Sequence, residues 1–125
     1  MSLRQVVVTL CSLPLFCVGP QASWGHAFPE RAEPRAGATV AAAPSHVRIW
    51  FDGALEPAFS SLRVQTAGGQ WIDAGEGRVD PADATLLAVR LSPLAPGTYR
   101  VLWNVVARDG HRTEGDYTFT VQQGK

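Results

Sequence analysis

Three residues of this 125-residue chain have the types and spacing to hold a metal ion: His26, Asp109 and His111. Residues 1–25 read as a secretory leader. They carry one early basic residue (Arg4), an apolar stretch over 6–18, and small Ser23 and Gly25 at the third and first positions before a cut. Cleavage after Gly25 makes His26 the new N-terminus. An N-terminal histidine offers one metal two nitrogens, its α-amine and a ring nitrogen. An internal histidine cannot do this, because its backbone nitrogen is tied up in an amide. A free α-amine ordinarily titrates near ~7.7–8.0, so a divalent metal can displace its proton at neutral pH.

Asp109-Gly110-His111 adds a carboxylate and an imidazole two residues apart. In extended chain such side chains point the same way, and Gly110 leaves the backbone free to bend between them. With His26 the set becomes three nitrogens and one oxygen. A tetragonal N/O set suits Cu(II), which also heads the first-row divalent affinity order. One Cu(II) ion per mature chain is the expectation. D-x-H by itself is a weak signal, since a polar turn in which Asp caps backbone amides and His is solvated has the same sequence. Its company, an N-terminal histidine in an exported domain, makes it much stronger.

Composition narrows the chemistry. Both cysteines, Cys11 and Cys17, lie in the leader, and the only methionine is Met1. The mature chain therefore has no disulfide, thiolate or thioether, and lacks the usual sulfur ligands of Cu(I). Arg4 is the only charged residue of the leader, so ten basic residues face eleven acidic ones afterwards, dispersed along the chain. Nucleic acid finds no electrostatic footprint there, and a basic membrane-binding face is equally absent. The leader's apolar run is too short to span a bilayer, and no other stretch approaches spanning length, so a soluble mature protein is expected.

Positioning those ligands requires a scaffold, and the mature chain reads as all-β. Residues 47–51 begin as an alternating run and end in Trp50-Phe51. Residues 61–65 alternate cleanly up to the Gly68-Gly69 turn signal. Residues 70–73 and 85–91 read as further short strands. Tyr99, Val101, Trp103 and Val105 fall on one face of a long strand, as do Tyr117, Phe119 and Val121 of the last, which is expected to start near Gly115. Residues 36–44 are alanine-rich, but Gly37, Thr39, Val40 and Pro44 argue for extended chain. Six or seven short strands in 100 residues imply one small antiparallel Greek-key sandwich or barrel over 26–125. Trp50, Trp71 and Trp103 are expected to be core or half-buried, and His46, Arg108 and Arg112 solvated.

With these residues in view, the chain resembles the CopC-type periplasmic copper-resistance proteins, small sandwiches of the cupredoxin/immunoglobulin-like kind. The resemblance spans the mature chain: His26, Pro34-Arg35-Ala36-Gly37, residues 47–51 with Phe59-Ser60, and most specifically residues 93–103 and 109–121. It implies Cu(II) ligands at His26, Asp109 and His111, a periplasmic location and an inner-membrane copper transport partner. A glutamate that the family often carries near the metal falls on Gly53 here, leaving Asp52 and Glu56 as the neighbouring carboxylates. The methionine-rich Cu(I) site of some members is absent, which makes this a Cu(II)-only member.

The leading functional reading is a monomeric, non-catalytic copper carrier for homeostasis or resistance, because four filled positions leave no substrate position. The alternative is a copper-dependent oxidative enzyme, since an N-terminal histidine plus a second histidine also resembles the copper brace of polysaccharide monooxygenases. A third reading is an adhesive or structural sandwich with no metal.

Overall fold

The computed structural model describes residues 27–75 and 77–124; the expected leader, its expected cleavage point and His26 lie outside the described residues. Eight strands run in chain order: β1 (Pro29–Glu33), β2 (Thr39–Val40), β3 (His46–Phe51), β4 (Ser61–Thr66), β5 (Arg78–Asp80), β6 (Asp83–Arg90), β7 (Gly97–Val106) and β8 (Arg112–Val121). They form two four-stranded sheets, ordered β1-β3-β6-β5 and β2-β8-β7-β4. All pairings are antiparallel except β2 with β8. The chain crosses between sheets five times, so this is a β-sandwich, as the alternation of its strands implied.

Period-two patterning explains the core. Val47, Ile49 and Phe51 of β3 point inward with Leu87 and Val89 of β6. Facing them are Leu62 and Val64 of β4, Tyr99, Val101 and Val105 of β7, and Phe119 and Val121 of β8. Such inner faces interdigitate across roughly 10 Å. Trp103 is only partly buried and meets Phe51 edge-on, with ring centroids 5.4 Å apart. Its cross-strand partner is Gly115, where a β-carbon would stand 2.6 Å from the indole. Tyr99 stacks on Phe119 and returns its hydroxyl to the Ala95 carbonyl, fixing the Pro96-Gly97 corner at the start of β7. On the outer face, Asp116 accepts from Arg100 Nε at 2.8 Å, and Thr98 and Thr120 hydroxyls meet at 3.1 Å.

Several local expectations change. Strands β1 and β5 carry almost no alternation signal, because backbone pairing to β3 and β6 holds them while few of their side chains are buried. Residues 70–73 form isolated bridges, Gln65 to Trp71 and Asp73 to Leu91, instead of a strand. Trp71 is 49% exposed and lies under the Arg63 guanidinium, 4.0 Å from its ring centroid, so it is not a core residue. β8 starts at Arg112 rather than near Gly115, since Arg112, Thr113 and Glu114 pair through backbone to Val106, Val105 and Asn104 without any apolar pattern.

Asp73 organises the segment after β4. Its side chain is 1% exposed and accepts from the backbone N–H groups of Val64 (2.9 Å) and Gly75 (3.1 Å) and from Arg63 Nε (3.2 Å). Burial alone would raise its pKa, but these donors and the Arg63 charge outweigh that and hold it below the ordinary 3.8. A carboxyl whose folded pKa is depressed adds stability that is complete above the unfolded value and lost as pH falls through the folded one. The Asp73 contribution is therefore expected to begin to fall as pH drops toward 3.8 and to be lost at still lower pH. Asp73→Ala is expected to cost about 1.5–3 kcal/mol at neutral pH, because charged hydrogen bonds are lost and the Val64 N–H is left without a partner. Denaturant unfolding at pH 7 and pH 3 checks this: the gap between variant and parent should shrink at the lower pH.

Candidate metal centre

β7 and β8 are joined by residues 107–111, with Arg108-Asp109-Gly110 at the tip of the turn. Ala107 N donates to the His111 carbonyl (2.9 Å) and Gly110 N to the Ala107 carbonyl (2.8 Å), closing a tight hairpin. Gly110 has φ 91°, the left-handed position that a three-residue hairpin loop demands and that glycine adopts without strain. The loop is gripped from the side by residues 54–56. Leu55 bridges to Ala107, Glu56 N donates to the Val106 carbonyl (2.7 Å), and Arg108 N donates to the Ala54 carbonyl (3.1 Å). Leu55 and Ala107 are both buried, so this end of the sandwich is packed rather than loose.

The turn brings two of the three sequence-derived ligands together. Asp109 Oδ2 stands 3.2 Å from His111 Nδ1, while Asp109 Oδ1 accepts from the His111 backbone N–H at 3.0 Å. The convergence comes from a tight turn and not from the extended chain that the D-x-H spacing suggested. Asp109 also does the backbone capping that a bland polar turn requires, so the two readings of this motif hold at once. The Asp109 side chain is 18% exposed and that of His111 49%. The carboxylate is thus fixed and the imidazole reachable from solvent. The 3.2 Å oxygen–nitrogen separation matches that of two neighbouring ligands on one divalent ion, each roughly 2.0–2.2 Å from it.

His26 precedes Ala27 by one residue and lies outside the described residues, but Ala27 itself is well placed. It is fully buried, and its carbonyl accepts from Thr113 Oγ1 at 2.7 Å, two residues past His111. Phe28 N donates to Asp52 Oδ1 at 2.7 Å, and Asp52 N returns a bond to the Phe28 carbonyl at 2.9 Å. Gly53 leaves room over this arm: a β-carbon there would sit 3.9 Å from that of Ala27. Among the described residues, no group of three or more His, Cys, Asp or Glu side chains is placed to hold a metal, so neither Asp52 nor Glu56 completes the Asp109–His111 pair. Thr113 carries no signal in the sequence, where it looks like any polar residue of a strand. Asp52, a neighbouring carboxylate in the sequence, is engaged by Phe28 N instead.

The remaining candidates stand apart. His46 opens β3, at the opposite end of that strand from Asp52, with Ser45 Oγ 2.9 Å from its Nδ1. Arg112 turns to Asn104 Oδ1 at 2.6 Å.

The CopC domain profile matches residues 30–122, nearly all of the described chain. The chain belongs to the CopC family. Among its relatives, protein YobA of Escherichia coli K12 is 37% identical over 100 residues, covering 79% of this chain and 81% of YobA. The crystal structure of CopC from Methylosinus trichosporium OB3b superposes with TM-score 0.70 at 34% identity, covering 80% of this chain and 97% of that one. PcoC, a methionine-rich copper resistance protein from Escherichia coli, gives TM-score 0.66 at 30% identity over 78% of this chain and all of PcoC. Against that CopC member, this chain has no methionine beyond Met1. Among the described residues no helix is long and apolar enough to cross a membrane.

Proposed function

We propose that this is an exported copper-binding protein that holds one Cu(II) per mature chain, through the His26 α-amine and ring, Asp109 and His111, and buffers or hands on the metal outside the cytoplasm. The observation that carries the reading is the Asp109–His111 pair, 3.2 Å apart on a fixed hairpin in a member of the CopC family. Further support comes from Ala27. A residue bonded to it has its Cα about 3.8 Å away, and Ala27 is tied to a side chain two residues from His111. The donors are nitrogen and oxygen only, which favours Cu(II) over Cu(I). Filling four positions with protein donors also disfavours oxidative catalysis, which needs a copper position open to oxygen. Copper is cargo here, and the periplasm, a monomeric state and an inner-membrane recipient complete the reading.

Titration of correctly processed protein against competing chelators tests it. One equivalent of Cu(II) should bind much more tightly than Zn(II) or Ni(II), and Cu(I) should bind poorly. Tight Cu(I) binding at a second site would sink the Cu(II)-only assignment, and sustained peroxide production by the copper-loaded protein with a reductant would favour the enzyme.

A further inference from the structure

The segment leading into β1 is stitched to both sheets before β1 begins. Phe28 is held to the end of β3 by two hydrogen bonds with Asp52, one to its carboxylate and one from its backbone N–H. Ala27 is held to β8, in the other sheet, by the Thr113 hydroxyl, and its methyl is buried among core residues beside Gly53. Nothing in the packing of a sandwich requires its first residues to be clamped this way, since chain termini are usually the least ordered part of a domain. The clamp lies against the hairpin that carries Asp109 and His111, with Thr113 two residues from His111.

We propose that Asp52 and Thr113 are positioning residues for copper: by pinning Phe28 and Ala27 they fix where the preceding residue meets the Asp109–His111 pair, and neither is itself a ligand. This rests on the reading of His26 as the N-terminal ligand. The physical reason is pre-organisation. A free arm loses backbone freedom when it closes on a metal, whereas an arm already ordered by the fold loses little. Asp52 is well suited to this part. Its Oδ1 is already engaged by Phe28 N, and the arm-to-sheet link it makes needs an acceptor oxygen, not a negative charge.

Four variants of the protein processed before His26 test this, with His26→Ala alongside. Thr113→Val and Asp52→Ala should each weaken Cu(II) binding about 3- to 10-fold, the range of one hydrogen bond, while Thr113→Ser and Asp52→Asn keep the acceptor or donor and should stay near native. The electron paramagnetic resonance spectrum of the copper-loaded Thr113→Val and Asp52→Ala proteins should broaden into more than one Cu(II) species. A role confined to stability would lower the melting temperature of the metal-free protein and leave that spectrum single. Asp52→Asn binding as weakly as Asp52→Ala would show that the carboxylate charge is used, and would overturn the positioning role. Native-like affinity and spectrum in Thr113→Val and Asp52→Ala, with His26→Ala crippled, would overturn the inference alone. An unaffected His26→Ala would remove the site assignment and this inference with it.

Discussion

Protein that keeps a single residue ahead of His26 is expected to lose Cu(II) affinity by more than the roughly 10–100-fold that removal of an outer-shell partner costs a metal site. The added peptide bond turns the α-amine into an amide and removes both a donor and the chelate ring it closes with the imidazole. His26→Ala should be at least as damaging, because the ring nitrogen goes and an amine alone remains. Chelator competition on the native, extended and His26→Ala proteins measures this, with mass analysis confirming each N-terminus. Equal affinity in the extended protein would mean that the amine is not a ligand. The buried Ala27 and its bond to Thr113 make this test sharp, since an extension changes the chemistry of residue 26 without touching the residues that anchor the arm.

His111→Ala is expected to be the more severe of the two hairpin substitutions, beyond ~100-fold in Cu(II) affinity, with Asp109→Ala within the roughly 10–100-fold range. An imidazole is the stronger Cu(II) donor, and Asp109 contributes one oxygen while its other oxygen caps the His111 N–H. That cap makes the stability consequences unequal in the opposite sense. Asp109→Ala loses a turn hydrogen bond worth about 1 kcal/mol, a fall of about 4–8 °C in a domain of this size, whereas His111→Ala should leave the metal-free melting temperature nearly unchanged. Paired measurements of affinity and melting separate the two roles. A large melting loss in metal-free His111→Ala would mean that the imidazole supports the hairpin instead of serving the metal.

Much of this was legible in the residues themselves. Alternation in 47–51, 61–65, 99–105 and 117–121 announced the sandwich, because a half-buried strand shows its inward apolar side chains every second position. Asp109 and His111 were legible as a pair for a different reason: they stand two residues apart, with a glycine between them that leaves the backbone free to bend. Strands β1 and β5 were hidden, since their order comes from backbone bonds to neighbours and leaves little trace in side-chain type.

By itself, then, the sequence determined the all-β class, the lack of cysteine and methionine after residue 17 and the carboxylate–imidazole pair, all of which follow from residue type and short-range spacing. Only the tertiary structure decided how that pair converges: a three-residue hairpin with Gly110 left-handed, not extended chain. It alone also brought Ala27 to Thr113, 86 residues away, and Phe28 to Asp52, 24 residues away. Contacts at such separations depend on the order of strands in two sheets, and no local pattern of side chains encodes that order.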